Sequence, residues 1–433
     1  MMRSVLTLPL LAALAACATS ADEPVSIGYG PDPLLPKPSS NLVPVVNVQK
    51  ATGWPAGERP TPAAGLTVQA FATGLDHPRS IHVLPNGDVL VAETNAPPRP
   101  KDGNGIRGFF MKQAMEKAGA AVPSANRISL LRDADGDGVA EETYAFLTGL
   151  NSPFGMELVG DTLYVANTDA ILAFPYEEGA TSIDTPGRLV TELPAGPINH
   201  HWTKNITVSE DGKHLYAAVG SNSNIAENGI EAEEGRAAIW EVDIVTGEKR
   251  LYASGLRNPV GLAINPANGE VWTAVNERDE LGNNLVPDYV TSVKDGAFYG
   301  WPWSYYGQNV DTRVKPANAS MIAKAIAPDY GLGSHTASLG IAFSEGDALG
   351  EQFASGLFVG QHGSWNRKPP SGYKVVYVPF KSGAPAGEPV DVLTGFLENG
   401  KARGRPVDVA LAKDKALLVT DDVGNTVWRL VAE

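Results

Sequence analysis

The chain has 433 residues and carries 34 Lys and Arg against 49 Asp and Glu, a formal charge of −15. So acidic a balance argues against nucleic acid as a partner, because phosphate binding needs Lys and Arg clustered across one face. A single cysteine excludes an intramolecular disulfide, and the length suits one repetitive β array with no second domain required.

Arg3, the apolar run Val5 to Ala16 and the small residues before Cys17 read as a lipoprotein signal peptide over 1–17. The run is too short to span a bilayer. Cys17 is then expected to carry lipid, anchoring an exported protein to a membrane with its folded part in the periplasm. Residues 18–60, rich in Pro, Ser and Ala, are expected to be a flexible tether, and 61–433 the folded domain.

Six apolar, alternating runs follow: His82 to Glu93, Met156 to Asn167, Ile206 to Gly220, Leu262 to Asn276, a looser Gly356 to Gly363, and Val407 to Asp422. Period-two alternation marks half-buried strands. Turns at Asn86-Gly87, Gly160-Asp161, Asp211-Gly212 and Asn268-Gly269 mark hairpins. The expected fold is all-β, a six-bladed β-propeller, and the uneven spacing calls for long inter-strand loops on one face.

Those loops carry the candidate chemistry. Residues 97–125 include Phe109 to Ala118, suited to a short helix that serves as a packed insertion, a lid, or a membrane contact through Phe109, Phe110 and Met111. Asp133, Asp135 and Asp137 alternate like the first half of a calcium loop, but Tyr144 at the twelfth position excludes a strict EF-hand. The readings are a structural calcium site or an acidic turn between strands ending at Leu131 and starting at Thr143. Arg257 and Asn258 precede one strand, and Asn276-Glu277-Arg278-Asp279-Glu280 follows the next. The arginine can grip a carboxylate, and the oxygen-rich loop can face a hard cation. No Cys-x-x-Cys-His haem motif and no G-x-G-x-x-G fingerprint occurs.

GLDHPRSIHVLPNGDVLVAETN, NHHWTKNI, GLRNPVGLAINP, VNERDELGNNLVPDY, GWPW and RGRPVDVA together resemble the PQQ-dependent soluble aldose sugar dehydrogenases and L-sorbosone dehydrogenase-like proteins, over about residues 65 to 430. The resemblance implies a propeller that binds pyrroloquinoline quinone (PQQ) on its upper face, with a histidine base and a calcium ion. It places the base at His201. A neutral imidazole suits proton abstraction from a sugar hydroxyl, and extended geometry turns His200 the other way. The quinone's three carboxylates call for cations, and the matching motifs offer Arg257, Arg367, Arg403 and Arg405, with Asn258 and Lys204. Arg403 and Arg405 alternate and are expected to face one ligand, while His362 and Asn366 are alternatives to Arg367. Calcium falls to the backbone carbonyls of Glu277 and Arg278 and to Asp279.

Two departures stand out. Val260 replaces a glutamine of the glucose-oxidising members, and Asn276 to Asp279 replaces their Gln-Gly-Pro turn, which is nearer to the sorbosone branch. The implied function is oxidation of an aldose or related aldehyde sugar by base-assisted hydride transfer to the quinone with calcium assistance. Electrons would pass to an external quinone or cytochrome. A calcium-dependent propeller lactonase and a non-catalytic sugar-binding propeller are the alternatives.

Overall fold

The computed structural model describes residues 20–39, 45–98 and 113–433, and strands dominate them. The signal peptide, Cys17 and the Phe109, Phe110 and Met111 triplet lie outside the described residues. Of the helix expected up to Ala118, residues 113–118 are helical.

Six antiparallel sheets of four or more strands account for most of the fold. The first holds Pro78–Val83, Val89–Glu93, Arg127–Arg132 and Glu142–Leu147; the second Met156–Val159, Thr162–Ala166, Ala170–Pro175 and Arg188–Glu192. The third is Ile206–Val208, His214–Val219, Ala238–Asp243 and Lys249–Ser254; the fourth Pro259–Ile264, Val271–Val275, Pro287–Ser292 and Tyr330–Ser334. The fifth contains Ser338–Phe343, Gly356–Gln361, Lys374–Lys381 and Val390–Thr394. The sixth joins Pro406–Leu411, Leu417–Asp421 and Thr426–Ala432 to Leu66–Thr73 from the other end of the chain.

The first strands of successive sheets touch in order, and Pro406–Leu411 touches Pro78–Val83, so contact returns to its start. This cyclic order explains the burial gradient. Second strands such as Val89–Glu93, Val271–Val275 and Leu417–Asp421 are buried throughout, being sandwiched between neighbouring sheets. Outer strands such as Arg188–Glu192 and Lys249–Ser254 face water along much of their length. Each apolar run in the sequence is therefore part of an inner hairpin. In the fifth sheet only the second strand stood out, because its connection to Ser338–Phe343 is long and holds the 3-10 turn Glu351–Phe353 instead of a tight turn.

Side chains entering from five sheets meet near the common axis: Phe154, Trp202, Val260, Leu339 and Val407 form one apolar cluster. Val260 is 2% exposed there, so the residue expected to replace a glutamine of the glucose-oxidising members is a packing residue.

The described part of 18–60 departs from the flexible tether expected for it. Tyr29–Gly30 adds an edge strand to the fourth sheet, and Lys50–Ala51 pairs in parallel with Lys401–Ala402. Between these, Ser39 N–H donates to the Leu281 carbonyl at 3.0 Å and Asn47 N–H to the Trp365 carbonyl at 2.7 Å. Backbone groups satisfied by sheet edges and loop carbonyls hold the segment down, a constraint that its Pro- and Ser-rich composition does not reveal.

Candidate functional site

At the loop face, the segment before the third sheet delivers His201, and the step into the fourth delivers Arg257 and Asn258. His201 Nδ1 lies 2.8 Å from the Ser221 carbonyl and 3.0 Å from Ser221 Oγ. That hydroxyl spends its own hydrogen on the Ser223 carbonyl at 2.7 Å. Both partners of Nδ1 are thus acceptors, so Nδ1 carries the proton and Nε2 keeps its lone pair. Burial, reinforced by the Arg257 charge, lowers the His201 pKa well below 6.5 and keeps the ring neutral. His200 is exposed while His201 is half-buried; both lie in a bend ahead of the strand, so the strand alternation expected for them does not apply.

Gly220 lets these groups approach one another. A Cβ there would collide with His201 Cβ and with Asn258 Oδ1. Asn258 Oδ1 is itself buried and meets no donor among the described residues.

Arg257 is held on all sides. Its Nη1 donates to the Glu277 carbonyl at 2.7 Å, and Nη2 reaches Asn224 Oδ1 at 3.1 Å and Asp279 Oδ2 at 3.3 Å. Two of the expected calcium ligands, the Glu277 carbonyl and Asp279, are engaged by this web. The Glu277 carbonyl faces a guanidinium, and the Arg278 side chain is buried against Asp311. Asp279 accepts from Asn366 Nδ2 at 2.7 Å and lies 3.6 Å from His335 Nδ1. Burial works to raise the Asp279 pKa, yet His335, Arg257 and Asn366 together lower it to about 2. The Glu277 carbonyl and the Asp279 carboxylate each already accept from Arg257, which spends part of the oxygen set expected for calcium at Glu277, Arg278 and Asp279. The Glu277 carboxyl is pushed up to about 7, chiefly by burial.

The remaining expected cations separate. Arg405 is buried, stacks with its guanidinium 5.0 Å from the Tyr373 ring centre, and leaves Nε without a partner among the described residues. Its backbone N–H is fixed at 2.8 Å by Asp421, which also accepts from Trp54 and Trp428. Arg403 does not point the same way. It turns outward into ion pairs with Glu58 and Glu398. Arg367 spends Nε, Nη1 and Nη2 on the carbonyls of Asn283, Pro369 and Glu23, clamping the N-terminal segment to the loops. Lys204 is fully buried with Nζ directed to the Trp202 carbonyl at 3.2 Å, and burial together with Arg236 lowers its pKa well below 10.5. Neither Arg367 nor Arg403 nor Lys204 offers a free cation, contrary to the expectation for them.

His362, expected as an alternative to Arg367, belongs to a second buried group. His362 Nε2 lies 2.9 Å from Asp422 Oδ2, which also accepts from Arg79 Nη1 at 2.6 Å and sits 3.6 Å from His77 Nε2. Burial lowers His362 to about 4 despite the carboxylate. Burial opposes ionisation of Asp422, but His362 and His77 hold it far below the usual carboxylate range. The signal available in the sequence was the recurring X-Pro step opening a first strand: His77-Pro78, Asn258-Pro259 and Arg405-Pro406.

Away from this face, Asp133, Asp135 and Asp137 occupy the turn between Arg127–Arg132 and Glu142–Leu147. Their ligand atoms and one from Glu141 lie within 4.8 Å of one another, a set that can hold a metal ion. In this structure the carboxylates accept backbone N–H groups of their own loop, as at Gly136, Asp137, Gly138 and Val139.

The TrAA12-like family model matches residues 60–294 and 306–432. The chain belongs to the TrAA12-like family. An uncharacterised protein of Borreliella burgdorferi is 29% identical over 67% of this chain and 78% of its own length. A pyrroloquinoline quinone-dependent pyranose dehydrogenase of Coprinopsis cinerea is 26% identical over 73% of this chain, which spans only 44% of that enzyme. Among solved structures, the holo PQQ domain of pyranose dehydrogenase from Coprinopsis cinerea superposes with a TM-score of 0.69 at 23% identity, over 89% of this chain and 100% of that one. The PQQ-bound aldose sugar dehydrogenase of Streptomyces coelicolor gives 0.56 at 18% identity, over 86% and 100%. At these identities the structural likeness is one of fold.

Proposed function

We propose that this TrAA12-like chain is a PQQ-dependent sugar dehydrogenase on a six-bladed propeller, oxidising an aldose or related aldehyde sugar by base-assisted hydride transfer. The observation that carries the reading is His201, whose Nδ1 proton is tied to Ser221 and whose Nε2 is left basic. The family membership and the fungal relative's name support the cofactor.

The residues present fit the quinone in part. Asn258 Oδ1 and Arg405 Nε are buried polar atoms without partners among the described residues, and Gly220 leaves room for close approach. Asn258 and Arg405 would hold the quinone, with Arg257 supplying positive potential. When bound, PQQ supplies a two-electron acceptor. His201 Nε2 takes the proton of the sugar hydroxyl, and Ser221 holds the ring in position as positive charge develops on it. Arg257 keeps His201 neutral between turnovers. The Glu277 and Asp279 oxygens already accept from Arg257, and the Asp133, Asp135, Asp137 and Glu141 set suits a structural ion.

Electrons leave to an external quinone or cytochrome on this reading. The same proposal includes export, lipid attachment at Cys17 and a periplasmic location, supported by the sequence of residues 1–17. No helix among the described residues is long and apolar enough to cross a membrane. Loss of palmitate labelling in Cys17→Ser tests the anchor.

The central experiment is reconstitution of the full chain with PQQ and calcium, following reduction of an artificial dye across a panel of aldoses. Sugar-dependent dye reduction is expected. Lactone hydrolysis without quinone, or no turnover of any sugar, overturns the reading.

A further inference from the structure

The family match begins at residue 60, yet residues before it cross the loop face beside the proposed reacting centre. Ser39 and Val45 form one side of a cleft, and Glu280, Gly282, Arg313, Trp365 and Asn366 form the others. Its walls thus come from loops of the fourth and fifth sheets and from the N-terminal strap. The enclosed part of the cleft is small, about 60 Å³, and opens to solvent, so it admits the edge of a ligand and leaves the rest outside.

The lining has the chemistry of a sugar ring's two aspects. Trp365 offers a half-buried indole for an apolar C–H face. Glu280 and Arg313, 4.0 Å apart, offer an acceptor and donors for hydroxyls. Asn366 is 6% exposed, and its Oδ1 meets no donor among the described residues. A buried amide oxygen without a donor costs free energy unless a ligand hydrogen reaches it. Glu280 also adopts φ of 71°, a conformation that a non-glycine residue holds only where its surroundings impose it. Asn366 ties the cleft to the centre, because Asp279 accepts from its Nδ2 and also from Arg257.

We propose, resting on the sugar-dehydrogenase reading above, that this cleft grips the hydroxyl-bearing end of a single sugar ring. Ser39 and Val45 wall it, so a segment outside the family match helps select which sugars enter.

The test uses the full chain and two variants. Val45→Trp fills the cleft from the strap, and Trp365→Ala removes the stacking face while leaving the carbonyl that receives Asn47 N–H. Thermal melts establish that each variant is folded. With reconstituted protein, KM for the preferred aldose should rise about tenfold in both while kcat falls far less. In the quinone-free protein, calorimetric titration of the same aldose should show binding to the wild type and at least tenfold weaker binding to each folded variant. Unchanged KM and unchanged sugar binding in folded variants overturn the proposal even if the wild type oxidises sugars. Sugar binding lost in the variants of a protein that oxidises no sugar keeps the cleft and overturns the dehydrogenase reading. Absence of both binding and turnover in the wild type overturns both.

Discussion

The loops of the third and fourth sheets and those of the fifth and sixth carry arginines in similar-looking motifs, yet the two regions use them differently. Around His201 and Asn258, side-chain atoms are left uncommitted among the described residues: a basic Nε2 and a buried Oδ1 without a donor. Across the ring, Arg367 spends all three nitrogens on carbonyls and Arg403 pairs with two carboxylates, while Arg405 keeps a buried Nε without a partner among the described residues. A cation makes a binding site only when its hydrogen-bonding capacity is unspent. Otherwise it is structure.

The largest effect expected from breaking this contrast is at His201. His201→Ala should lower kcat about a thousandfold while quinone remains bound, read by dye reduction and by absorbance of retained cofactor. The acid limb of kcat/KM should fall below the ordinary histidine value of 6.5, because burial and Arg257 disfavour protonation and only the neutral ring is a base. Replacing Arg257 by Gln removes one of those effects, so the limb should move to higher pH. Equal kcat in wild type and His201→Ala would place the base elsewhere.

Next in size is Arg367→Ala, which strands three carbonyls and frees the N-terminal strap. A loss of about 3 kcal/mol in unfolding free energy is expected, measured by denaturant titration, with quinone affinity little changed. Arg405→Ala should weaken quinone retention about thirtyfold by equilibrium titration, the loss of one charged hydrogen-bonding group. A quinone affinity that falls with Arg367 and not with Arg405 would invert the assignment. The smallest effect belongs to Arg403→Ala. Its partly exposed pairs with Glu58 and Glu398 contribute at most about 1 kcal/mol each to stability, and quinone binding should not respond.

Much of the ring was readable before any coordinates, since the inner hairpins are short-range objects. Alternation and Asn-Gly or Asp-Gly turns write them into contiguous residues, as at Val89–Glu93 and Leu417–Asp421. The exception is Ser338–Phe343, whose link to the next strand has no tight turn to announce it. Site residues were readable only as types and positions. Arg403 and Arg405 alternate in the chain, but Asp421 fixes the backbone of one while Glu58 and Glu398 capture the side chain of the other.

The sequence by itself determined the all-β class, the hairpins and the loop positions of the candidate histidine and arginines, because each depends on neighbours a few residues away. Tertiary structure alone decided that Leu66–Thr73 joins the last sheet, that residues read as a tether form a strap over the loop face, and that Asp422 gathers His77, Arg79 and His362. Those outcomes rest on pairings between distant residues. Whether a buried donor or acceptor is spent or free is a property of the folded surroundings, and no local pattern encodes it.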